Sequence, residues 1–89
     1  MRLDLFLKRV GLVKQRLLAK QLCEQGSVRL NGRAGKAGKE IKPGDVIELD
    51  LYRERLEFKV VDIPHRNYKR TQGTQFYHVL RHEHKDPYL

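Results

Sequence analysis

Leu3, Phe6, Leu7 and Val10 recur at i, i+3, i+4 and i+7, the spacing of one apolar stripe on a short amphipathic helix. Asp4 falls in its first turn, where a carboxylate suits the positive end of the helix dipole, and Gly11 marks its stop. A second helix is predicted from about Lys14 to Gln25, closed by Gly26. Within it Leu18 pairs with Leu22 at i, i+4 and Ala19 pairs with Cys23 one step round. Arg16 and Lys20 share a different face.

After Gly26 the period falls to two. Ser27-Val28-Arg29-Leu30 alternates polar and apolar and runs into Asn31-Gly32, the dipeptide that favours a two-residue type I′ hairpin turn. Residues 33–42 are small, basic and glycine-spaced, with little to bury, and Pro43-Gly44-Asp45 signals a turn. Val46, Ile47, Leu49 and Leu51 predict one strand, and Leu56, Phe58, Val60 and Val61 a second. Arg53-Glu54-Arg55 fits the exposed loop between them. Residues 64–75 are polar and read as a mobile loop, and residues 76–80 read as a strand in preference to a short helix. Two helices followed by a small antiparallel sheet make an α+β fold. One domain is expected, with residues 1–63 carrying the helices and sheet and residues 64–89 completing it.

Composition narrows the function. A chain of 89 residues buries only about 60–65% of its unfolded surface, a modest core that leaves little room for a deep active site. No apolar run approaches the ~20 residues of a membrane span, and the first residues lack the apolar stretch of a secretion signal. A single cysteine, Cys23, excludes an internal disulfide and a cysteine zinc cluster, so a reduced, cytoplasmic protein is expected. The formal charge is +8, and all of it lies in the N-terminal half. Residues 1–44 carry eleven basic side chains and three acidic ones, whereas residues 45–89 carry eight of each. A segregated excess makes a directional field that attracts a polyanion. The alternative, a solvated face without a partner, leaves the self-repulsion of that charge unexplained.

Arg2-Leu3-Asp4 with Phe6-Leu7, then Arg16, Ala19-Lys20, Gln25-Gly26-Ser27-Val28, Leu30-Asn31-Gly32, Lys36 and Lys42-Pro43-Gly44-Asp45-Val46-Ile47 form an ordered set over residues 1–51. This set resembles the RNA-binding domain of the ribosomal protein S-four type, the alpha-L motif. Where that family usually has a serine, this chain has Lys14-Gln15. Its brevity and simple sheet tail are similar to the small stand-alone bacterial subgroup of RqcP-like and heat-shock-protein-fifteen-like chains. That resemblance implies binding to ribosomal RNA of the large subunit obstructed by peptidyl-tRNA, with possible tRNA contact. It also implies a role in quality control of stalled nascent chains beside a factor that adds C-terminal tails.

The candidate site follows from charge and chain order. Arg2, Lys14, Arg16 and Lys20 lie off the apolar stripes, and Arg33, Lys36, Lys39 and Lys42 lie on the glycine-spaced segment. Asn31, at the hairpin turn, completes the RNA-binding set. Packing the helices on the first strand is expected to gather the eleven cations of the N-terminal half on one concave wall. Glycines 32, 35 and 38 would admit phosphates to the backbone. Arg supplies planar forks and Lys mobile point charges. Such contacts recognise structured RNA by shape, and Phe6 and Phe58 at core positions argue against a base-stacking platform. No catalytic residue, cofactor or metal site is expected, and the chain is expected to act as a monomer. His78, His82 and His84 lack a further ligand at metal spacing and read as exposed histidines. Cys23 reads as a packing residue and Asp4 as a capping or Arg-pairing group. Gly38-Lys39-Glu40 lacks the spacing and hydroxyl of a P-loop, and Gly32-Arg33-Ala34-Gly35 follows a strand, unlike the GxxG of KH domains. An appendage of an RNA-modifying enzyme and a DNA-binding protein using Lys14-Gln15-Arg16 in the major groove are the alternative readings.

Overall fold

The computed structural model describes residues 1–64 and 76–85. The loop expected over residues 64–75 therefore lies almost wholly outside the described residues. Helices α1 (Leu3–Arg9) and α2 (Arg16–Glu24) precede five strands, β1 (Val28–Leu30), β2 (Arg33–Ala34), β3 (Val46–Asp50), β4 (Glu54–Val60) and β5 (Tyr77–His84). The strands form one antiparallel sheet in the order β2-β1-β3-β4-β5. This is the α+β architecture that the change of period predicts. Among the described residues, no helix is long and apolar enough to cross a membrane.

Register explains the core. Val28 faces Leu49, Leu30 faces Ile47, and Ile47 faces Phe58, so the apolar positions of three strands share one face. The α1 stripe, Leu3, Phe6, Leu7 and Val10, is buried against that face with Val13 and Ala19. On the other face Arg29, Glu48, Glu57 and Arg81 stand in register across four strands, a ladder of two cations and two anions open to solvent. Asn31 at φ 52° and Gly32 at φ 80°, with Leu30 paired to Arg33, give the two-residue hairpin its left-handed corners.

Several expectations need correction. In α2 the buried residue is Ala19, while Leu17 and Leu18 are exposed and Leu22 and Cys23 half-buried. Helix α2 packs chiefly against α1, and the small Ala19 faces the core there while Leu18 is set aside. Residues 33–42 bury more than their composition suggests, because Gly35 and Ile41 both lie in the interior. A Cβ on Gly35 would stand 3.0 Å from both the Val28 carbonyl and the Leu3 side chain. Its glycine therefore serves close packing and not phosphate approach. Strand β4 starts at Glu54, so the turn before it is shorter than Arg53-Glu54-Arg55.

Candidate nucleic-acid interface

The chain after β2 returns to the start of α1 and is stapled there by backbone. The Leu3 N–H donates to the Lys39 carbonyl at 2.8 Å, Asp4 N–H to Ala37 at 3.1 Å, and Ile41 N–H to Met1 at 2.9 Å. The first two occupy donors that a helix N-terminus otherwise leaves open. They also lay the glycine-spaced segment alongside α1. The N-terminal amine reaches Glu40 at 2.6 Å and closes the same seam.

Asp4 organises the helix side of the interface. Its side chain is 2% exposed, and it receives Arg2 at 3.3 Å and Arg16 at 3.4 Å, each of which remains 47% exposed. The other demand on the carboxylate is local, from the Leu5 N–H at 2.8 Å. One buried anion thus fixes the bases of two Arg forks whose outer edges stay in solvent, the arrangement that planar phosphate contacts require. Arg2, Asp4, Arg16, Leu17 and Lys20 line one concavity. The Arg2 guanidinium also lies over Gly38, where an added Cβ would stand 3.6 Å away. Arg2 therefore joins the helix side to the segment side.

On the segment side Asn31, Arg33, Lys36 and Lys39 line a second concavity with Leu30 and Ala34. Lys39 and Lys42 line a third beside it, together with Asn31, Glu40 and Asp45. The acids of this region are already engaged. Asp45 accepts from the Asn31 amide at 3.1 Å and the Lys42 N–H at 2.9 Å, and Glu40 holds the N-terminus. Among the described residues, Lys14, Lys20, Arg33, Lys36, Lys39 and Lys42 form no ion pair with a carboxylate. They are free to neutralise an external anion.

The sequence-predicted residues divide accordingly. Arg2, Arg16 and Lys20 come together, as do Arg33, Lys36, Lys39 and Lys42 around Asn31. Lys14 is exposed in the turn before α2, outside the lining of these three concavities. Asn31 has a structural duty, since its carbonyl oxygen accepts the Val46 N–H at 2.8 Å while its amide holds Asp45. The eleven cations do not all converge, because alternation along β1 turns Arg29 to the outer face opposite Glu48. Leu17, 64% exposed among the cations, was missed. Its signal is a leucine off the Ala19–Cys23 stripe. Burial, with Asp4 and Glu24 nearby, pushes the Cys23 thiol up to about 11, so it is protonated and unreactive at neutral pH.

Fold and clefts define the class: a small α+β module with exposed Arg forks held by a buried carboxylate and Lys side chains that lack a carboxylate partner among the described residues. Residues 1–47 match the S4 domain, and the chain belongs to that family. An RQC P-site tRNA stabilizing factor of Helicobacter pylori is 48% identical over 64 residues, covering 72% of this chain and 76% of that one. Its namesake in Halalkalibacterium halodurans is 39% identical over 83 residues, 93% of each chain. Among solved structures, the trimeric Heat Shock Protein 15 of Vibrio cholerae superposes with a TM-score of 0.79 at 26% identity, covering 89% of this chain and 80% of that one.

Proposed function

We propose that this chain is a non-enzymatic RNA-binding factor of the cytoplasm that docks, as a monomer, on ribosomal RNA of the large subunit and acts in quality control of stalled nascent chains. Arg2, Lys14, Arg16, Lys20, Arg33, Lys36, Lys39 and Lys42 carry the phosphate contacts, and Asn31 holds the hairpin corner that presents them. The observation that carries the reading is the pair of Arg forks fixed by buried Asp4, bridged through Arg2 over Gly38 to a lysine-lined segment. Such a surface suits an RNA backbone read by shape, with affinity from phosphates and little base readout. The relatives named for stabilizing P-site tRNA support a contact with peptidyl-tRNA on the obstructed subunit. Residence there would place the chain beside a factor that tails the stalled nascent chain.

Sucrose-gradient sedimentation of cell extract tests this directly. The protein is expected to travel with free large subunits, and the Arg16→Ala/Lys20→Ala variant to remain near the top. A wild-type protein found only at the top contradicts the reading. Tighter binding to duplex DNA than to ribosomal RNA at equal salt contradicts it as well.

A further inference from the structure

Far from the cleft, at the opposite edge of the sheet, β5 carries His82 and His84. The β4–β5 register slips between Glu57 and Phe58: Phe58 pairs with Val79 and Glu57 with Arg81, so Leu80 is an extra residue. Without that bulge, strict alternation would set His82 and His84 on the same face as His78. With it they turn to the face that carries Glu54 and Leu56, Glu54 directly opposite His84 and Leu56 opposite His82. His78 stays on the other face, across from Lys59. The His82 Nε2 lies 2.9 Å from the Glu54 carboxylate, and the two imidazoles stand 4.7 Å apart at 45°. One ligand atom from each of the three side chains lies within 4.8 Å of the others.

We propose that Glu54, His82 and His84 form a three-ligand site for a divalent transition-metal ion of the Zn²⁺ class. Spacing in the sequence offers only the two histidines, and the cross-strand pairing supplies the missing carboxylate. Ligand bonds of about 2.0–2.2 Å to Zn²⁺ place tetrahedral donors roughly 3.4 Å apart. The three groups therefore need only a modest closing rotation. Freedom for it exists, since the His82 and Glu54 side chains are 41% and 35% exposed. Two imidazoles with one carboxylate select Zn²⁺, Ni²⁺ or Cu²⁺ over Mg²⁺ and Ca²⁺, which prefer all-oxygen shells. Three protein donors leave a fourth position for water or for a donor from another molecule. Because Glu54 and His82 are 28 positions apart, a bound ion clamps β4 to β5 and raises stability by mass action.

The test is calorimetric titration of the full, tag-free chain with ZnCl₂, with histidine imidazole NMR signals followed in parallel. One ion per chain is expected, with the His82 and His84 signals shifting and the His78 signal unmoved. His82→Ala and His84→Ala should each weaken binding by more than the ~10-fold that even an outer-shell change typically costs. Glu54→Gln should weaken it as well, and His78→Ala should not. All four positions lie at or near the surface, and circular dichroism confirms that each variant is folded. Absence of saturable binding by the wild type up to about 1 mM free Zn²⁺, a range that spans weak affinities, overturns the proposal. Binding that survives His82→Ala/His84→Ala unchanged overturns it too.

Discussion

The two halves of this chain use charge in opposite ways. Around β3–β5 cations meet anions, Lys85 pairing with Asp50 and Arg81 with Glu83, and His82 shares a hydrogen bond with Glu54. Around α1, α2 and the segment after β2, the anions are few: Asp4 and Asp45 are buried, while Glu40 is exposed and bound to the N-terminus. There Asp4, Glu40 and Asp45 are taken up by two arginines, the N-terminus and the Asn31–Lys42 corner. The first pattern is locally neutral and serves the sheet. In the second, a small number of engaged acids set the geometry, while Lys20, Lys36, Lys39 and Lys42 have no carboxylate partner among the described residues. Net charge alone does not separate these uses, but the location of the acids does.

The largest expected effect lies in the sheet. Phe58 is 1% exposed and meets Tyr77 edge-on at 5.4 Å, so Phe58→Ala should cost about 3–5 kcal/mol in urea unfolding. RNA affinity per folded molecule should hardly change, because α1 and the loop carbonyls, not β4, hold the cleft. A large loss of affinity in the folded variant would show that the halves are not separable.

Asp4→Ala comes next, at about 1–3 kcal/mol, since it leaves the Leu5 N–H without its acceptor. It also makes the protein more positive, so a purely electrostatic account predicts tighter RNA binding. Our account predicts binding weaker by roughly fivefold, because Arg2 and Arg16 lose their common anchor. Equilibrium titration with ribosomal RNA decides between them.

The smallest effect concerns the exposed Asp50–Lys85 pair. The hydrogen bond from Lys85 holds the Asp50 carboxyl below its ordinary value. A depressed carboxyl contributes stability above its unfolded pKa and loses it as pH falls through the folded one. Solvent screening limits the contribution to about 0.2–1 kcal/mol. Lys85→Ala should therefore shift the melting temperature slightly at neutral pH and not at all in strong acid, as read from melts across that range.

Much of the fold was legible because local chemistry and tertiary packing agree. The α1 stripe, the Asn31-Gly32 corner and the alternation of β3 each satisfy one rule, and the register then aligns their apolar faces. Asp4 was legible as a capping or Arg-pairing group because it sits in the first helical turn with no second catalytic group beside it, and the fold makes it the Arg partner. Illegible features depended on contacts between distant segments. Gly35 is buried because Leu3 and Val28 converge on it. Leu18 is left outside because Ala19 allows the closer approach. The bulge at Leu80 reverses the faces of β5, and no period in residues 76–84 announces it. For the same reason Glu54 stayed hidden beside His82 and His84.

The salt dependence of ribosomal RNA binding tests the central claim most directly. Two triple variants are compared: Arg16→Ala/Lys20→Ala/Lys36→Ala from the cleft and Arg53→Ala/Arg55→Ala/Arg81→Ala from the balanced half. Both remove the same formal charge. Each phosphate-contacting cation contributes about one unit to the slope of log K against log salt. The cleft variant should flatten the slope by about three units, and the other by almost none. Equal flattening by both would contradict a localised binding surface.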